Sequence, residues 1–114
     1  MRIYMKWYDD LYVGESIIHK KKKIQWKILH NAGQLDIYVI TLASNKNNLL
    51  DIIPSHELLQ KGYPKKDLYV VGLAKGYQEA IEIATSIIDE TYRQTGAFKI
   101  AAYLEQKRKH SGSA

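Results

Sequence analysis

Cysteine is absent from the chain, which excludes disulfides, thiolate metal centres, cysteine nucleophiles and redox motifs. No run approaches the roughly 18 apolar residues that a membrane-spanning helix needs, and the N-terminus has no apolar signal core. The expectation is a folded cytosolic protein, neither exported nor membrane-spanning. Two glycines framing a Lys-Ser/Thr pair are also missing, so there is no phosphate loop. Ser55 lacks the flanking glycines of a nucleophile elbow. His56 and Glu57 have no second histidine or acid four residues on to complete a metal pair, and a structural role at a helix start accounts for them. No cofactor and no catalytic residue is read from the sequence.

What is present is organised around an octapeptide written twice. Asp36-Ile37-Tyr38-Val39-Ile40-Thr41-Leu42-Ala43 and Asp67-Leu68-Tyr69-Val70-Val71-Gly72-Leu73-Ala74 are identical at five positions. Their nearly continuous apolar character predicts strands covered on both faces. Tyr38 and Tyr69 recur at the same place, which predicts that they point the same way and pack as a pair or frame one surface. Residues 44–66 are too long for a hairpin loop and read as short helical turns, one through Leu49–Ile53 ended by Pro54 and one at His56–Lys61 capped by Ser55. Such a crossover favours parallel pairing of the two octapeptides, with an antiparallel pair as the alternative.

Around these strands, Ile3, Met5 and Trp7 alternate and predict a strand over residues 2–8, closed by Asp9-Asp10. Residues 16–32 carry Ile17, Ile18, Ile24, Ile28, Leu29 and Ala32 on one helical arc. Residues 77–95 predict the clearest helix, ended by Gly96 as a left-handed cap. The chain of 114 residues, 46% of them hydrophobic, is one domain's worth. We read a single small layered α/β domain over residues 1–104. Its two- or three-stranded sheet would use 36–43 and 67–74, with residues 2–8 as the third strand where there are three, covered by helices near 16–32 and 77–95; α+β with antiparallel pairing is the alternative. Residues 105–114 read as a frayed, basic polar tail.

Charge is unevenly spread. The formal net charge is +5, and no acidic residue occurs between Glu15 and Asp36, where Lys20–Lys23 and Lys27 lie. The helix at 77–95 instead carries Glu79, Glu82, Asp89 and Glu90. Lysines neutralise phosphates and an indole offers a stacking face. The candidate nucleic-acid contacts are therefore Lys20, Lys22, Lys23, Trp26 and Lys27, with Lys107, Arg108 and Lys109 of the tail; the bland counterpart is a solvated helix face whose lysine stems cover apolar surface. A weaker ligand edge lies where the strands end, at Asn45 and Lys46 and at Lys75, Gly76 and Tyr77, the latter combining a cation, a flexible backbone and helix-terminal amides. The change from Thr41 to Gly72 between the octapeptides marks this second exit as the better place for a ligand to approach backbone. Asp9 and Asp10 after a strand are weak candidates for a metal, with helix capping as the plain alternative.

The segments Tyr8–Glu15, Asn48–Pro54 and Asp67–Tyr77 resemble a group of short uncharacterised proteins of anaerobic Gram-positive bacteria. The resemblance covers nearly the whole chain and implies no activity, ligand or catalytic residue. The leading expectation from the residues is a non-enzymatic binding module for nucleic acid or another polyanion. One alternative is a homo-oligomer or accessory subunit whose basic and acidic helices meet an acidic or basic protein surface. Another is a site for a phosphorylated small ligand or Mg²⁺-dependent phosphoryl chemistry built from Asp9, Asp10 and Lys75.

Overall fold

The structure, a computed structural model, describes residues 5–30, 32–43, 49–59 and 68–112. Four strands, β1 (Lys6–Val13), β2 (Ile37–Leu42), β3 (Leu50–Pro54) and β4 (Tyr69–Lys75), form one sheet in the order β1-β4-β2-β3. Three helices accompany it: α1 (Lys21–Leu29), α2 (Tyr77–Thr95) and α3 (Ile100–Gly112). Two 3₁₀ segments, Glu15–Lys20 and Ser55–Leu59, complete the elements. The α/β class holds, with four strands in place of two or three.

The octapeptides are neighbours in the sheet, but they pair antiparallel, Val39 opposite Leu73 and Ile40 opposite Gly72. Parallel pairing fails because residues 49–54 are not helical. They form β3, which folds back on β2 as its antiparallel partner, with Ile53 opposite Val39 and Asp51 opposite Thr41. Both β3 and β4 therefore run against β2, one on either side of it, and the long connection joins β3 to β4. A five-residue run, apolar except for Asp51, cannot be assigned to helix or strand by periodicity alone. Pro54 ends this edge strand, a place where proline is tolerated in a sheet. Antiparallel pairing also separates the twin tyrosines: Tyr69 packs near Tyr8 at 6.5 Å between ring centroids, whereas Tyr38 meets Tyr77 edge-on at 5.8 Å.

β4 lies between β1, its parallel partner, and β2. Alternate residues of a strand face opposite sides of a sheet, and Val70, Val71, Leu73 and Ala74 are all fully buried, so both faces are covered. α2 supplies one cover with Ala80, Ala84, Ile87 and Thr91. Tyr92 on the same helix is half exposed. Gly72 is the point of closest approach: a Cβ there would stand 3.0 Å from Ile83 Cγ2 and 3.1 Å from the Tyr12 carbonyl oxygen. The glycine admits α2, not a ligand, and the sequence expectation for that position is corrected accordingly.

The helix expected over 16–32 is divided. Residues Glu15–Lys20 wind as 3₁₀ and only Lys21–Leu29 are α-helical. Three lysines occupy the first turn of α1 with no acid among them, a charge arrangement that opposes the helix dipole and disfavours extending the helix upstream. Because a 3₁₀ turn takes three residues, a single 3.6-residue wheel misplaces side chains across the junction. Ile17, Ile24 and Ile28 are buried, but Ile18 and Leu29 are exposed.

β1 continues through Asp9-Asp10 to Val13, with Tyr8 and Leu11 buried. Its register against β4 shifts between Trp7 and Tyr12, an irregularity that breaks the simple alternation on which the inward set Ile3, Met5 and Trp7 rested. Ile3 lies outside the described residues. The tail is likewise more ordered than its polarity suggests, since residues 105–112 belong to α3. Ile100 and Leu104, one turn apart, are buried, and the Tyr8 hydroxyl donates to the Leu104 carbonyl at 3.0 Å.

Replacing Gly72 by Val should cost about 1–3 kcal/mol of stability, because the added methyls have no space between Ile83 and the β1 backbone. A urea melt followed by far-UV circular dichroism, showing a lower midpoint with an unchanged slope, checks this.

Candidate anion-binding site

β1 and β4 are parallel, so both end on the same side of the sheet, and antiparallel β2 begins there, with Ile37 opposite Lys75. The 3₁₀ segment leaves β1 at this end and leads into α1. Lysines far apart in sequence consequently meet. Lys20, Lys23, Lys27 and Lys75 line one cleft of about 320 Å³, floored by Ile17, Ile24 and Ile37 and closed at one side by Gln34 and Leu35. Among the described residues no carboxylate side chain lines it. The cleft unites two sets that sequence reading held separate, the lysine helix and the exit of the second octapeptide.

The aromatic candidate does not line the cleft, but helical spacing sets it beside a lysine that does. Lys23, Trp26 and Lys27 are at i, i+3 and i+4 and so are surface neighbours. Trp26 is 58% exposed. Its indole stacks on the His30 ring with centroids 4.0 Å apart, and His30 Nδ1 lies 2.7 Å from the Trp26 carbonyl oxygen, which holds the pair in place. Lys22 does not line the cleft. Gln34 anchors the opposite wall by donating to the Ile24 carbonyl at 3.4 Å.

The seat expected at Lys75-Gly76-Tyr77 is filled by the protein itself. Gly76 adopts φ 82°, a left-handed backbone that favours glycine, and donates its N–H to the Asp36 carbonyl at 2.6 Å. Glu79, in the first turn of α2, bends back so that its Oε1 accepts from the Lys75 N–H and from Ser16 Oγ, both at 2.8 Å. Burial disfavours the charged carboxylate, but these donors, the Ser16 N–H and the nearby Lys75 ammonium outweigh it and hold the pKa below the usual value. The same carboxylate would stand 2.0 Å from a Cβ at Gly14. Glu79 thus ties the ends of β1 and β4 to α2 and leaves the Lys75 side chain to the cleft. With Glu15 and Glu82 it lines a separate acidic cleft of about 430 Å³.

The remaining candidates are elsewhere. Asn45 and Lys46 lie outside the described residues. Asp9 and Asp10 fall mid-strand, between Trp7, opposite Val70, and Tyr12, opposite Gly72, roughly 13 Å of strand short of Lys75 at 3.3 Å per residue. Asp9 faces Arg108 at 3.7 Å. Among the described residues no group of three His, Asp or Glu side chains could hold a metal ion. The C-terminal cations are not a free basic tail. Arg108, paired with Glu105, borders a cleft with Lys6 and Tyr69 at the opposite end of β4. Lys109 is exposed on α3.

Lys107 belongs to a polar cluster invisible in the sequence pattern. One oxygen of Glu90, Oε2, accepts from the hydroxyls of Tyr12 at 2.7 Å and Tyr103 at 2.6 Å and from Lys107 Nζ at 2.9 Å. Lys107 Nζ also donates to Tyr12 Oη at 2.9 Å and lies 4.8 Å from the centre of that ring. Burial opposes ionisation of Glu90, yet the three donors prevail and lower its pKa. Burial and the bond to Glu90 push Tyr103 up to about 12. The cluster clamps α3 to β1 and α2; it does not face the lysine cleft. The signal that could have found Glu79 is its place three residues into α2, where a carboxylate reaches back to cap a helix start. No local signal pairs Tyr12 with Glu90.

Comparisons with protein-family models, curated proteins and solved structures found no match to the chain. No helix among the described residues is long and apolar enough to cross a membrane.

Acidification should dissolve the Glu90 clamp. A lowered folded pKa means that its contribution is complete above the unfolded carboxylate value and is lost as pH falls through the folded one. Glu90→Gln should lose about 1 kcal/mol at pH 7, a charge-assisted bond discounted for partial exposure. Between pH 6 and 3 its urea midpoint should fall less than that of the parent.

Proposed function

We propose that the protein is a non-enzymatic binding module for a polyanion, nucleic acid in first place, and that the ligand's phosphates lie in the cleft between α1 and the exit of β4. The observation that carries this reading is convergence: Lys20, Lys23, Lys27 and Lys75 come from three elements and line one cleft without a carboxylate among its walls. Like charges brought together cost free energy unless a counter-charge joins them. Lysines spread over a solvated face would carry no such arrangement. A chain of phosphates would neutralise these lysines while releasing its own condensed counterions.

The chemistry is charge neutralisation. Ammonium groups on flexible stems bind phosphate as point charges and read little sequence. Trp26, exposed and braced by His30, lies outside the cleft but adds a flat surface one turn from Lys23. Lys107 and Arg108, both engaged with carboxylates, are left out of the proposed contact set.

Fluorescence anisotropy of a labelled oligonucleotide, titrated at several salt concentrations, tests this. Four contacts predict a log–log slope of about −3 to −4. Lys23→Glu with Lys27→Glu, or Lys75→Glu alone, should weaken binding and flatten the slope, while Lys22→Glu, outside the cleft, should do so far less. Absence of salt-dependent binding at low ionic strength would end the proposal.

A further inference from the structure

The wall that closes the lysine cleft is thin and has a second side. Gln34, Leu35 and Ile37 border the basic cleft and also line a neighbouring cleft of about 250 Å³ completed by Asp36, Tyr38, Pro54 and His56. That size is below the roughly 300 Å³ of a drug-sized pocket, and suits one flat ring system. Its polarity is opposite to that next door. In place of ammonium groups it offers the Asp36 carboxylate, the His56 imidazole and the Gln34 amide, acceptors and donors of the kind that match base edges, beside the apolar surfaces of Leu35, Tyr38 and Pro54.

Leu35 is 91% exposed and Tyr77 57% exposed. Leu35 lines both clefts and is left open among the described residues, whereas Tyr77 lines neither and borders the second through Tyr38. Tyr77 stands against Tyr38 with ring centroids 5.8 Å apart, so one aromatic side chain braces the other. The backbone beneath is held too. Asp36 sits at φ 58°, and its carbonyl accepts the Gly76 N–H, fixing the wall to the exit of β4. A ligand straddling this wall must be anionic on the lysine side and neutral, flat and hydrogen-bonding on the other, because Asp36 would repel a second phosphate.

We infer that the cleft formed by Leu35, Asp36, Tyr38 and His56 receives a single unpaired nucleobase, so that the protein takes single-stranded nucleic acid, with the adjoining phosphates on Lys20, Lys23, Lys27 and Lys75. The inference rests on the polyanion reading above and goes beyond it by choosing the strand form. In a duplex the bases are stacked and paired, and none reaches a side cleft while its phosphates occupy the next; an unpaired strand can splay one base out and stack it on an aromatic face.

The test is anisotropy with single-stranded and duplex oligonucleotides of equal charge and with a free mononucleotide, on the parent chain and two variants. Leu35→Ser with His56→Ala and, separately, Tyr77→Ala change exposed side chains, and thermal melts confirm that each still folds. The expected result is single-strand binding at least tenfold tighter than duplex, reduced about tenfold by either variant with the salt slope unchanged, and mononucleotide binding far weaker than both. Equal affinity for single strand and duplex, with no effect of the variants, overturns the base cleft while leaving the polyanion reading intact. Saturation by free mononucleotide at oligonucleotide-like concentrations overturns the strand form, and binding of none of the probes overturns both readings.

Discussion

A strand buried on both faces must be covered twice, and that constraint on β4 shapes this protein. Burying Val70, Val71, Leu73 and Ala74 completely removes each methylene from water at about 0.8 kcal/mol. It also requires layers above and below that a short chain has few residues to build. α2 covers one face by approaching as closely as Gly72 permits. The 3₁₀ segment packs along β4 as well, and its Ile17 shares one apolar cluster with Ile24 and Ile28 of α1. Both covers enter at the same end of the sheet, since α2 follows directly on β4 and the 3₁₀ segment follows directly on the parallel strand β1. The basic cleft follows from this layout: α1, entered from the end of β1, carries Lys23 and Lys27 to the exit of β4.

Charge is sorted by the same layout. Of the four acids of α2, Glu82 and Asp89 are exposed, while two tie elements together, Glu79 at the turns that leave β1 and β4 and Glu90 on Tyr12, Tyr103 and Lys107. Each takes its donors at the cost of desolvation, and each remains ionised because several donors converge on it. Lys107 and Arg108 are answered by carboxylates, whereas Lys20, Lys23, Lys27 and Lys75 share a cleft with no carboxylate side chain among its described lining residues. Four cations on one cleft set a direction for approach of an anion.

How far this could be read from the chain differs by element. α2 was legible to the residue, because nineteen positions of amphipathic period and a glycine in the left-handed C-terminal position repeat one message several times over. The twin octapeptides announced strands and burial, but burial on both faces leaves no alternation to orient them, and pairing direction depends on β3, a run of five residues too short to show a period. α1 misled through its 3₁₀ entry. The second half of α3, residues 105–112, was not legible, because that stretch is polar and the helix is anchored by Ile100 and Leu104 and by bonds to Tyr8 and Glu90, partners 96 and 13–17 residues away. Of the site, the lysines of α1 and Lys75 were each visible alone. Their union was not, since it follows from β1 and β4 lying side by side and parallel.

The central claim is that the anion-binding surface is the cleft at the common exit of β1 and β4. Amide chemical-shift mapping on the isotopically labelled protein, titrated with a short oligonucleotide at low salt, addresses it most directly. The account predicts perturbations concentrated at Ser16–Lys27, Gln34–Tyr38 and Lys75–Tyr77 that vanish as salt is raised. Perturbations centred instead on Lys6, Tyr69 and Lys107–Lys109, at the opposite end of the sheet, would contradict it.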